Sequence, residues 1–126
     1  MVKENEKILM FVYGTLMSGY GNNRLLRNET LIGPAKTIEK YELRARGIPY
    51  VNKNNPISQI KGEVYEVSPE ALPSLDSLEG HPRWYRREKI PVEINNEIKE
   101  AWIYFNPTPE GELLEDGDFR NYTKKI

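Results

Sequence analysis

Apolar and polar positions alternate in distinct rhythms along this chain. Lys7 to Tyr13 (KILMFVY) is a near-continuous apolar run, the pattern of a strand buried on both faces, and it stops at Gly14. The following TLMSGYGNNRLLRN carries two more glycines and predicts a short helical turn around Asn22 to Asn28. From Leu31 to Arg46 a loose alternation rich in Ile, Thr and Tyr predicts one or two strands, with Gly33-Pro34 as an early break. Ile60 to Val67 (IKGEVYEV) alternates as a half-buried strand does. Ser68-Pro69-Glu70 then reads as a helix start, with Ser68 as N-cap and Pro69 in the first helical position. Pro73 interrupts that helix, so the prediction is a turn and then a short helix ending near Glu79, with Gly80 as its stop. Arg86 to Ile94 and Ile98 to Phe105 form a hairpin through Asn95-Asn96-Glu97. The tail from Asn106 is turn-rich and then polar, with Phe119 and Tyr122 able to pack back. Strands outnumber short helices without βαβ alternation, which predicts an α+β fold built on a strongly bent sheet or small barrel.

Composition narrows the function classes. A length of 126 residues suits one domain, residues 1–126, and neither a repeat nor a linker divides it. With 18 basic and 19 acidic residues the net charge is -1, so no global field draws nucleic acid or an anionic membrane. No apolar run is long enough to span a bilayer. The opening MVKENEKILMFVYG is too polar at its head for a secretory leader, so the expected location is cytoplasmic. The absence of cysteine excludes disulfides, thiol catalysis and cysteine metal sites. His81 is the sole histidine, which excludes a multi-histidine metal centre; before Pro82 it reads as a bland surface residue. Phosphate-loop and calcium-loop patterns are both missing.

Two stretches remain that can carry chemistry. In FVYGTLMSGYGNNRLL a buried strand ends at Gly14, and successive N–H groups in such a turn can converge on an anion while the Thr15 hydroxyl adds a donor. An ordinary strand-to-loop turn accounts for the same glycines. In SLDSLEGHPRWYRR, Glu79 ends a short helix beside Trp84 and Tyr85, where the negative helix end and burial would both raise its pKa towards that of a general base at neutral pH. A solvent-exposed glutamate, paired with Arg83, Arg86 or Arg87, is the commoner explanation when this stretch is taken alone.

Taken together, YGTL (Tyr13 to Leu16), the GNNRLL after it, and LDSLEG followed by YRR resemble the γ-glutamylcyclotransferase superfamily, most closely its γ-glutamylamine cyclotransferase (AIG2-like) branch. The resemblance covers nearly the whole chain, with the segments in the family's order. It implies a small mixed β-barrel with short flanking helices, no metal or cofactor, and a small-molecule γ-glutamyl substrate rather than a nucleic acid or a membrane. It implies Glu79 as general acid/base and Tyr13, Gly14, Thr15 and Leu16 as the loop that holds the γ-glutamyl part. Tyr85 and Arg87 match the Y-x-R positions, as wall and support of the substrate site. Gly47-Ile48-Pro49-Tyr50 fits the wall that follows the second strand, while the leaving amine stays undefined.

The implied reaction suits the side chains. The α-amine of a γ-glutamyl amide reaches its own γ-carbonyl through a five-membered ring, so no enzyme nucleophile is needed. What is needed is a shaped cavity, a base that becomes an acid, and donors for the oxyanion and the α-carboxylate. The products would be 5-oxoproline and a free amine. Two other readings stand beside this one: a non-catalytic binder of a γ-glutamyl or amino-acid-like ligand, and an interaction module that uses Trp84, Tyr85 and the arginines as an exposed anchor patch.

Overall fold

A computed structural model describes residues 7–124; the polar head read above as unlike a leader lies largely outside the described residues, as does 125–126. Strands β1 (Ile8–Val12), β2 (Thr30–Arg46), β3 (Ile48–Asn52), β4 (Ser58–Val67), β5 (Arg86–Ile94), β6 (Glu97–Phe105) and β7 (Glu112–Leu113) are joined by short helical pieces. Hydrogen bonding runs β3-β2-β4-β1-β6-β5, and β5 returns to β2. Strands β2, β4, β1, β6 and β5 thus close into a five-stranded barrel, which removes free edges from the central sheet. The barrel is mixed because β1 runs parallel to β6, with Met10 opposite Trp102, while its other pairings are antiparallel.

Residues of period two fill the interior. Ile90, Val92 and Ile94 of β5 and Ala101, Ile103 and Phe105 of β6 are buried in this rhythm, whereas Met10, Phe11 and Val12 of β1 are buried in succession, on both faces of the strand. The hairpin between β5 and β6 turns on Asn95 (φ 52) and Asn96 (φ 63), the paired left-handed conformation that matches strand twist. Phe119 of helix α2 (Phe119–Thr123) is fully buried and stacks on Tyr122, so the tail packs back as its aromatics predict.

The structure refines several of these expectations. The span from Leu31 to Arg46 is one strand, and Gly33-Pro34 makes a register shift against β4 rather than a break, with Gly33 at φ 152 absorbing the distortion. A second shift between Lys36 and Lys40 is filled by the buried Thr37, whose hydroxyl donates to Glu39 O (2.7 Å) and accepts from Ile60 N (2.9 Å). Ile48-Pro49-Tyr50 of the GIPY stretch lie in a strand, β3, pairing with the far half of β2. Ser68 is the N-cap of a 3-10 turn (Pro69–Ala71), as expected, but its side chain makes no capping bond; its N–H and hydroxyl donate to the Glu29 carboxylate at 2.8 and 3.3 Å. The helical turn predicted near Asn22 is a 3-10 turn over Gly21–Leu26. Among the described residues no helix is long and apolar enough to cross a membrane.

Candidate active site

The turn after β1 and the end of helix α1 (Leu72–Glu79) open on one cavity of about 280 Å³. Tyr13, Gly14, Thr15 and Leu16 form one side of it, and Glu79 and Tyr85 the other. Asn22, Ile48, Pro49 and Tyr104 also line it, and Trp84 stands at its mouth, 43% exposed. Of the residues that the resemblance assigns to the substrate site, Arg87 lies outside the lining, and of the expected Gly47–Tyr50 wall only Ile48 and Pro49 reach it.

The donor side is shaped by a tight turn. Gly14 O accepts Met17 N–H at 3.0 Å, and among the described residues no acceptor takes the N–H groups of Thr15 and Leu16, which leaves both available to a ligand. Asn22 Nδ2 donates to Thr15 Oγ1 (2.8 Å), and Asn23 Nδ2 to Leu16 O (2.8 Å) and to the Tyr65 hydroxyl (2.9 Å). These two asparagines, inside the GNNRLL segment, therefore brace the turn from the 3-10 piece behind it. Downstream, Ser18 N–H and Oγ–H donate to the two Glu63 oxygens at 2.8 and 2.7 Å, and Arg120 Nη2 donates to Ser18 O at 2.7 Å and to Glu63 Oε2 at 3.1 Å.

The acid side owes its form to a helix stop. Gly80 adopts the left-handed conformation (φ 66, ψ 35), its N–H turned back to Asp76 O and Ser77 O, so α1 ends with Glu79 facing the cavity. Among the described residues no side chain hydrogen-bonds or ion-pairs with the Glu79 carboxylate. Burial pushes its pKa up from 4.5 to about 7.

Two other shielded carboxylates make the contrast plain. The buried Glu42 accepts from Asn55 and Arg44, and these bonds, against its burial, hold its pKa low. Asp76 is pushed up by burial, but Arg87 and the Tyr104 hydroxyl outweigh that and leave its pKa below the ordinary value. Arg87 is thus committed to Asp76, and Arg86 Nε turns to Pro82 O (3.3 Å), which disposes of two of the arginines considered as partners for Glu79.

Three tyrosines surround Glu79 without donating to it. Tyr13 donates to Tyr104 O (2.6 Å), Tyr85 to Pro49 O (2.7 Å) and Tyr104 to Asp76 Oδ1 (2.6 Å). Burial raises the pKa of all three phenols, with the Glu79 charge adding to it, so they stay protonated in these bonds. Tyr85 is 3% exposed and stacks on Tyr50 at 6.0 Å between ring centroids, a placement opposite to that of an exposed anchor patch. His81 is not bland either: its Nδ1 accepts Arg87 N–H at 3.1 Å.

A larger depression of about 540 Å³ lies between Pro34, Lys36, Glu63, Glu93, Asn95 and Arg120. Its acids are engaged: Glu93 stands 3.8 Å from Lys36, Glu63 meets Arg120 and Ser18, and Asp118 caps α2 through Arg120 N–H. Each carboxylate there has a partner, unlike Glu79 in the smaller cavity.

Comparison with known proteins establishes the family. Residues 10–121 match the family described as Gamma-glutamyl cyclotransferase, AIG2-like. A Methanocaldococcus jannaschii protein provisionally named a gamma-glutamylcyclotransferase is 47% identical over 116 residues, covering 90% of this chain and 96% of that one. Gamma-glutamylaminecyclotransferase B of Danio rerio is 34% identical over 128 residues, covering 90% of this chain and 67% of its own. The crystal structure of a mouse AIG2-like protein superposes with a TM-score of 0.76 at 25% identity, covering 89% of this chain and 88% of that one. The chain belongs to the gamma-glutamyl cyclotransferase, AIG2-like family.

Proposed function

We propose that this chain is a cyclotransferase that converts a γ-glutamyl amine into 5-oxoproline and the free amine, with Glu79 as base and then acid. The observation that carries the reading is an unpartnered carboxylate, with its pKa raised to about 7, lining the same cavity as Thr15 and Leu16, whose N–H groups have no acceptor among the described residues. The substrate's α-nitrogen attacks its own γ-carbonyl carbon, a ring C–N bond forms, and the bond to the departing nitrogen breaks. The two protons shed by the α-nitrogen equal the two gained by the amine that leaves as an ammonium ion, so a carboxylate that takes and returns them closes the cycle. The Thr15 and Leu16 amides would stabilise the oxyanion or hold the α-carboxylate, with Asn22 keeping Thr15 in place. The aromatic wall of Tyr85 and Tyr104 would hold the chain folded with its amine against its carbonyl. The amine subtype finds support in the name of the zebrafish relative.

The test is a screen of γ-glutamyl-ε-lysine and γ-glutamyl dipeptides for cyclised product by mass spectrometry, with Glu79→Gln as control. We expect 5-oxoproline from the wild type and a rate lower by roughly two orders of magnitude in the variant. A wild type that binds these compounds and never cyclises them would be a binding protein, and the enzymatic reading would fall.

A further inference from the structure

A carboxylate without a partner cannot set its own direction. Glu79 therefore takes its aim from the backbone of α1, and α1 has only eight residues, far too few to hold a helical turn unaided. We propose that Asp76 is the positioning residue for Glu79: it ties the last turn of α1 to β5 and β6 through Arg87 and Tyr104. This rests on the function proposed above, because it concerns the aim of the same carboxylate.

Asp76 lies one turn before Glu79, at the i, i+3 spacing that brings helical side chains onto neighbouring lines. Its carboxylate accepts Arg87 Nε at 2.7 Å and Nη2 at 2.9 Å, a two-pronged contact, and the Tyr104 hydroxyl at 2.6 Å. Arg87 and Tyr104 stand directly opposite each other on β5 and β6, so both donors rise from one point of the barrel wall. The Arg87 and Asp76 side chains are only 18% and 21% exposed, which separates this contact from surface ion pairs that contribute little.

Main-chain bonds tighten the same joint. Asp76 O accepts the N–H groups of Gly80 and His81, Glu79 O accepts Tyr85 N–H (3.2 Å), and His81 Nδ1 accepts Arg87 N–H. Arg87 also lies 4.8 Å from the centre of the Trp102 ring, which limits its freedom to leave Asp76. The tie reaches the donor side as well, since Tyr13, at the entry to the Gly14 turn, donates to Tyr104 O. Both halves of the cavity are thereby referenced to Tyr104. Because small misplacements of a reacting group cost rate far more than they cost binding, the tie belongs to turnover rather than affinity.

The experiment compares Asp76→Asn and Arg87→Lys with the wild type by amide hydrogen exchange, melting temperature, and kcat and KM for 5-oxoproline formation. In Asp76→Asn the amides of Glu79, Gly80 and His81 should exchange roughly tenfold faster while those of β1 and β4 keep their rates. The same variant should lose kcat by roughly tenfold or more with KM within about twofold, and Arg87→Lys should fall between the two. Adding Tyr104→Phe to Asp76→Asn should lower kcat little further, because that hydroxyl acts through Asp76. Should Asp76→Asn fail to fold, Arg87→Lys decides alone on the same readouts. The proposal is overturned by unchanged exchange at the α1 end, by exchange that rises uniformly across the barrel, or by wild-type kcat per folded molecule. If the wild type forms no 5-oxoproline, the functional reading falls and the exchange pattern alone decides whether Asp76 anchors the helix.

Discussion

Pro49 Cγ occupies the space where a side chain at position 14 would begin, so Gly14 and Pro49 fit together only because one of them has no Cβ. The turn that offers its N–H groups to a ligand and the β3 wall of the cavity are thus in direct contact. Gly14→Ala should push the two apart, destabilise the protein by roughly 1–3 kcal/mol, and raise KM more than it lowers kcat. Urea unfolding and steady-state kinetics measure the two effects. A variant with unchanged stability and KM would show that the turn yields to β3 without cost.

Glu79 makes stability and activity oppose each other along the pH axis. Its carboxyl is pushed up from 4.5 to about 7, so between those values the folded chain holds a proton that the unfolded chain has released. Stability therefore falls as pH rises through this window and levels off above about 7. Glu79→Gln holds no such proton: its stability should stay flat across the window and exceed the wild type's by up to about 3 kcal/mol at the alkaline end. The wild-type kcat/KM should rise over the same interval, half-maximal near 7, as the base is freed. Denaturant melts at several pH values and a pH–rate profile test both halves, and parallel rather than opposite trends would dismiss Glu79 as the titrating group.

Arg120 fastens the segment just past the donor turn. Arg120→Ala removes its bonds to Ser18 O and to Glu63, together with its stacking 5.2 Å from the Tyr20 ring centre, and leaves Glu63 held by Ser18 alone at that joint. We expect a loss of roughly 1–3 kcal/mol and a raised KM, read by urea titration and by substrate saturation. Arg120→Lys keeps the charge but not the fork and should recover only part of either loss.

Local signals were the legible ones. The apolar run of β1, the Asn95-Asn96 turn and the Gly80 helix stop each depend on a few adjacent residues, and all three stand where the pattern puts them. Strand β3 escaped because it is only five residues long and carries Pro49, which argues against a strand, between Gly47 and the polar Asn52-Lys53-Asn54-Asn55. The length of β2 was obscured by Gly33-Pro34, a pair that ends most strands but here only shifts register. The residues around Glu79 divide the same way. Tyr13 to Leu16, Glu79 and Tyr85 meet in one cavity, whereas Tyr104 gave no sign of its place because its partners are remote in the chain. Nor can any spacing reveal that Arg87 is spent on Asp76, a carboxylate eleven positions away.

The placement of β1 between β4 and β6 has a consequence for the birth of the molecule. One flank of β1 finds its partner once β4 exists, but the other waits for β6, which follows every other barrel strand in the chain. During translation the cylinder stays unsealed, its greasiest segment half covered, until Glu97–Phe105 has left the ribosome. Holdase chaperones should therefore linger on nascent chains of this kind, and truncations that stop short of β6 should yield aggregates rather than a smaller barrel.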